Sequence, residues 1–267
     1  MKNINGLNVL ETSDFTRLCP SFYATAPVAK ASDQYAFINT RDIALQLWKE
    51  GWMPVYAKEQ RSNKRENRGF TKHVVRWAHK DYRTSDGDRI EIVGTNSHNL
   101  SARFNFMAGI FRLVCSNGLI IQTANMGSFS VIHKGDIVEQ VQEAVSGIAA
   151  NAAKVSARID DMKSIELSPE EMNLFALSAH KYVYGEETDK APVAPVKLLS
   201  TRRSVDAKSD LWTVYNRVQE NVIKGGLRDY RRSRRSTRRI TSITKDVKLN
   251  QALWTLAEGM INLKRAA

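Results

Sequence analysis

The sequence predicts an α+β fold. An antiparallel β-hairpin sheet, with strands between about residues 52 and 133, is packed by a long helix over about 135–162, and a mostly helical C-terminal region follows. Three observations carry this prediction. Alternating β-branched and aromatic stretches fill the first half, a three-and-four periodicity begins at Gly135, and helix-start signals recur at Ser168 and Asp210.

After a short irregular N-terminal segment, Asn39 caps a helix carrying Ala44, Leu45, Leu47 and Trp48, which ends at Gly51. Trp52 to Ala57 reads as a strand, and the polar stretch Glu59 to Gly69 as an exposed loop or hairpin tip. Phe70 to His79 alternates, with Val75, Trp77 and His79 on one face. Thr84-Ser85-Asp86-Gly87-Asp88 is a turn signal, and Arg89 to Gly94 is the returning strand. Thr95 to Asn99 reads as a polar loop, and Ala102 to Cys115 as a long strand bent at Gly109. Leu119 to Gln122 and Ser128 to His133 are short strands.

From Gly135 the period changes. Ile137, Val138, Val141, Val145, Ile148, Val155 and their neighbours form one apolar stripe running to about Met162. Ser168-Pro169-Glu170-Glu171 combines a cap, a first-turn proline and acids at the positive end of the helix dipole. That helix runs to about Tyr184. The stretch from Gly185 to Pro195 is polar and broken by prolines, so the expected domains are 1–184, a linker over 185–208, and a basic helical region over 209–267. In that region Ser209-Asp210 starts a helix with one apolar face (Leu211, Trp212, Val214, Tyr215, Val218, Val222), and a last helix spans Val247 to Leu263.

Composition narrows the partners. The 267 residues carry 40 Lys plus Arg against 28 Asp plus Glu, a formal charge of +12, and 42% are hydrophobic. That content excludes wholesale disorder. The sequence pI near 9.7 points to nucleic acid. No apolar run reaches the ~18–20 residues of a membrane span. The N-terminus does not read as a signal peptide, and two cysteines do not make a disulfide framework, so the cytoplasm is the expected location.

The charge is concentrated. Arg228 to Arg239 holds seven arginines and one aspartate, and Lys58 to Arg83 holds nine Lys or Arg against three acids. Crowded arginines repel one another, while their guanidinium groups suit bidentate phosphate contacts. The candidate nucleic-acid-binding residues are therefore Lys58, Lys64, Arg65, Arg68, Lys72 and Arg76 on the hairpin. A second set comprises Arg228, Tyr230, Arg231, Arg232, Arg234, Arg235, Arg238 and Arg239. Ser233, Ser236 and Thr237 are further phosphate-contacting partners, and Tyr56, Trp77 and Tyr230 are candidate base stackers, although a core position is the stronger reading for Trp77.

Catalytic patterns are weak. His73 and His79 lack a metal-ligand spacing, and His98 within TNSHN reads better as a loop-stabilising histidine. Cys115 ends an apolar strand, and Asp86 and Asp88 already serve a turn beside Glu91, so a two-metal nuclease is the weakest reading. No phosphate-cradling glycine loop precedes a helix. The expectation is a non-enzyme with no cofactor or metal.

Several segments carry a resemblance: FRLVCSNGL (Phe111 to Leu119), TNSH (Thr95 to His98), DLWTVYNRVQEN (Asp210 to Asn221), Arg238-Arg239-Ile240 and LNQALW (Leu249 to Trp254). Together they resemble the phage- and plasmid-encoded family of unknown function that includes the YafZ, YfjQ and YubP proteins. More loosely, hairpin, further strand and long helix are similar to the core of the Rad fifty-two superfamily of single-strand annealing proteins, with RecT, Erf and Red-beta. That resemblance implies single-stranded DNA binding and ATP-independent annealing by a homo-oligomer such as a ring, serving a phage or plasmid. The alternative is an anti-defence or regulatory protein of a mobile element that binds a host protein.

Overall fold

The computed structural model describes residues 1–32, 35, 37–83, 89–102, 104–111, 118–121, 128–130, 137–229 and 235–266. It is α+β, in two compact units, Met1–Lys154 and Val155–Ala267.

The first unit begins with order where the sequence suggests irregular chain. Strands β1 (Lys2–Ile4) and β2 (Leu7–Val9) pair across Asn5-Gly6, both at positive φ, 50° and 76°. Asparagine and glycine tolerate that region, which a tight hairpin turn requires. Helix α1 (Thr12–Leu18) and a 3-10 turn at Pro20–Tyr23 follow. Helix α2 (Thr40–Lys49) starts where its cap predicts, with the Asn39 side chain accepting from the Arg41 N–H.

The main sheet is antiparallel: β3 (Met53–Glu59), β4 (His73–Arg83), β5 (Arg89–Asn96), β6 (Asn105–Phe111) and β7 (Gly118–Ile121) in that order, with β8 (Ser128–Ser130) also pairing β6. The expected hairpin is β4–β5, in register at Trp77↔Ile92, and its turn at 84–88 lies outside the described residues. Val75, Trp77, Ile92 and Phe106 face a core completed by Phe15, Phe22, Ile43, Leu47 and Trp52. Gly94 makes room for Trp77, since a Cβ there would lie 2.6 Å from the indole ring. Part of the other sheet face, at Ala78, packs against Leu7 and Val9 of the small hairpin.

Helix α3 (Ile137–Ser164) contains the division between the units. The second unit holds its last turns, then α4 (Pro169–Tyr184), α5 (Leu211–Lys224) and α6 (Ile243–Ala266). Ser168 and Glu171 form the reciprocal capping pair that begins α4.

Two expectations change with the tertiary packing. The stretch that reads as a linker belongs to the second unit, because Val193 and Leu198 are fully buried and its carbonyls serve as acceptors. Asn221 donates to Leu198 and Ser200, and Arg217 donates to Leu199 and Lys208. Helix α5, expected to bury one face, is buried on every side from Leu211 to Val222. Its polar residues are tolerated because they are paired: Gln219 donates to Asn250 at 2.5 Å, and Glu220 binds Arg203 and Lys224.

Candidate nucleic-acid interface

The first basic surface is the loop between β3 and β4. Its ends are fastened by Gln60 N–H donating to the Lys72 carbonyl at 2.8 Å and by the Thr71 hydroxyl donating to Glu59 at 2.6 Å. Between them Arg61 and residues 63–66 and 68 are exposed, while Ser62, Asn67, Gly69 and Phe70 are half-buried. Lys64, Arg65 and Arg68 are exposed, as is Arg61, which the candidate set lacks, and none forms an ion pair with a described residue. Lys58 and Lys72 are half-buried, and burial lowers the Lys72 pKa.

Arg76 departs from expectation. Its side chain does not line an exposed groove: its Nε lies 2.9 Å from Glu91, whose other oxygen lies 3.1 Å from Arg89. Glu91 is fully buried. Burial raises its pKa, while the two guanidinium groups oppose the rise. The sequence hides this because a strand alternation assigns a face without saying what covers it. The same pairing occupies Glu91, the described acid of the nuclease reading, and Asp86 and Asp88 lie outside the described residues.

The second basic surface is a closed loop after α5. Gly226 N–H donates to the Thr237 carbonyl at 2.8 Å, Thr237 N–H to the Leu227 carbonyl at 2.9 Å, and Leu227 N–H to the Thr237 hydroxyl at 3.1 Å. Gly225 sits at φ 63°, and a Cβ there would lie 2.7 Å from the Thr237 carbonyl oxygen. Asp229 is buried and accepts from Ala194 N–H at 3.2 Å. Arg228, Arg235, Arg238 and Arg239 surround this clasp, largely in solvent. Tyr230, Arg231, Arg232, Ser233 and Arg234 lie outside the described residues. Thr237, expected to meet phosphate, is buried and spends its hydroxyl on the clasp. The signal that could have located the clasp is Gly225-Gly226 directly before the arginines.

Of the TNSHN segment, expected as a polar loop, Thr95 and Asn96 close β5 and Ser97 to Asn99 form the loop, with Thr95 to His98 buried. His73 Nδ1–H donates to the Thr71 carbonyl at 3.0 Å, which leaves Nε2 to accept from the Thr40 hydroxyl at 2.9 Å. Asn96 donates to Thr40 and to the Ile38 carbonyl, each at 3.0 Å. This chain fixes one neutral tautomer of His73 and leaves it no lone pair for a metal. His98 packs between Phe37 and His73, with ring centroids 4.8 and 5.2 Å away. Burial first, then His73, lower its pKa to about 4. Sequence reasoning missed the roles of Thr40 and Asn96, because partners 56 residues apart leave no local pattern. Trp77 is core, as its alternation suggests. Cys19 is buried, which pushes its thiol far up, and Cys115 lies outside the described residues. Among the described residues no group of three His, Cys, Asp or Glu could hold a metal, and no helix is long and apolar enough to cross a membrane.

Residues 27–254 match the family model described as a domain of unknown function, DUF932. The chain is 36% identical over 255 residues to the UPF0380 proteins YafZ and YfjQ of Escherichia coli strain K12, covering 94% of this chain and 92% of each relative. No solved structure matches it. A family match over most of the chain, joined to relatives aligned almost end to end, places this protein in the DUF932 family.

Proposed function

We propose that this protein binds single-stranded DNA as a homo-oligomer and anneals complementary strands without ATP, in the cytoplasm and in the service of a phage or plasmid. One observation carries the reading. The cations of the β3–β4 loop (Arg61, Lys64, Arg65, Arg68) and Arg238 and Arg239 of the second loop are exposed and form no ion pair with a described residue. Structural arginines in the same chain behave differently: Arg76, Arg158 and Arg203 each hold a carboxylate. Cations left on fastened loops favour a polyanion, whose counterions they release on binding. Annealing rests on the looser resemblance to the Rad fifty-two superfamily, and the mobile-element setting on the resemblance to a phage- and plasmid-encoded family.

Fluorescence anisotropy with a labelled single strand, over a series of salt concentrations, tests binding. The logarithm of affinity is expected to fall with the logarithm of salt at about 0.7 per phosphate neutralised. Mass photometry with and without the strand tests assembly, and a complementary pair tests annealing. A slope near zero removes the reading and leaves a protein partner as the alternative.

A further inference from the structure

We propose that Tyr56 is a base-stacking platform and that Arg76 is its positioning residue, so that this sheet face takes the planar face of an unstacked base as well as phosphate. This rests on the nucleic-acid reading above and adds a ligand class to it.

The register of β3 turns Tyr56 outward. Pro54 pairs with Trp77 on the core face, a bulge intervenes, and Tyr56 then pairs with Arg76. Without the bulge, period-two alternation would turn Tyr56 towards the same side as Pro54. Bulges commonly re-aim a side chain in this way. The result is a tyrosine 37% exposed in a strand that buries Pro54 and Ala57.

Beneath the ring lies a fixed cation. The Arg76 guanidinium carbon sits over Tyr56, 4.5 Å from the ring centroid. Glu91 holds that guanidinium at 2.9 Å, and Arg89 holds Glu91 from the other side. A buried ion cluster of this kind is a poor device for stability, since apolar residues of similar size commonly do as well. It is a good device for fixing a guanidinium, and a ring backed by a fixed cation loses little side-chain freedom when a base stacks on it.

The test compares a thymidylate strand with an abasic strand of equal length, which carries the same phosphates and no bases. Tyr56→Ala is expected to weaken thymidylate binding roughly tenfold and to leave abasic binding unchanged, because stacking is lost and charge is kept. Tyr56→Phe keeps wild-type affinity for both. Arg76→Lys keeps the charge beside Glu91, and is expected to weaken only the thymidylate complex. Equal losses on both strands, or no loss in Tyr56→Ala, overturn the proposal. If the wild-type protein binds the abasic strand as tightly as thymidylate, the platform fails while polyanion binding stands; if it binds neither, both fail.

Discussion

Arg76 and Glu91 form an ion pair at 2.9 Å across β4 and β5, on the hairpin where the sequence places candidate nucleic-acid-binding cations. A cation expected to meet DNA phosphate instead meets a fully buried carboxylate. The consequence is a division of labour among these basic residues: Lys64, Arg65 and Arg68 on the loop remain in water, while Arg76 and Arg89 on the sheet are held by an acid.

That pairing makes Glu91→Gln costly. The substitution leaves the half-buried Arg76 and Arg89 beside a neutral amide. Breaking a fully buried pair typically costs about 3–5 kcal/mol, and the partial exposure of the two guanidinium groups puts the loss at about 2–3 kcal/mol. Urea denaturation should show the unfolding free energy lowered by that amount. Replacing all three residues by apolar ones of similar size should restore most of the stability.

Gly225→Ala tests the clasp of the arginine loop. The new Cβ would lie 2.7 Å from the Thr237 carbonyl oxygen, at a backbone φ of 63°. A loss of roughly 1–3 kcal/mol is expected on thermal or chemical unfolding, with every arginine still present. Gly226→Ala meets no atom within 4 Å and should cost only the strain of its φ of 79°.

Acid should destabilise the first unit through His98. Its folded pKa lies near 4 against an ordinary 6.5, so as pH falls below 6.5 the unfolded chain takes up the proton first. The stability present above pH 6.5 is therefore lost progressively down to about pH 4. The shift corresponds to about 3 kcal/mol. Burial lowers the His73 pKa as well and adds in the same direction. His98→Phe should flatten this part of the curve in denaturation measured between about pH 7.5 and about pH 4.5. An unchanged slope would place the imidazole in water.

The exposed cations should behave in the opposite way to the buried ones. Alanine at Lys64, Arg65 and Arg68, or at Arg238 and Arg239, is expected to leave the unfolding free energy within about 0.5 kcal/mol. For every phosphate that such a variant no longer neutralises, the salt slope of single-strand binding should become shallower by about 0.7.

Elements with a local cause are legible in the sequence. The Asn39, Ser168 and Asp210 caps start helices where expected, because a cap is decided by a side chain and an amide within three residues of each other. The β4–β5 pair follows from alternation. The Asn5-Gly6 turn is equally local, yet its flanking strands of three residues each are too short for alternation to mark them. Prolines over 185–208 report broken helix, not exposure, and the full burial of Val193 and Leu198 follows from tertiary packing.

Propensity, periodicity and formal charge belong to neighbouring residues, so the chain's own order of amino acids was enough for the α+β class, the succession of strands and helices from α2 onwards, and the two concentrations of positive charge. Folding added the rest: which cations stay in water and which are spent on acids, the enclosure of α5 on all sides, and the neutral state of His73 held by Thr40. Those outcomes depend on groups distant along the chain meeting where water is excluded, and no local pattern records such a meeting.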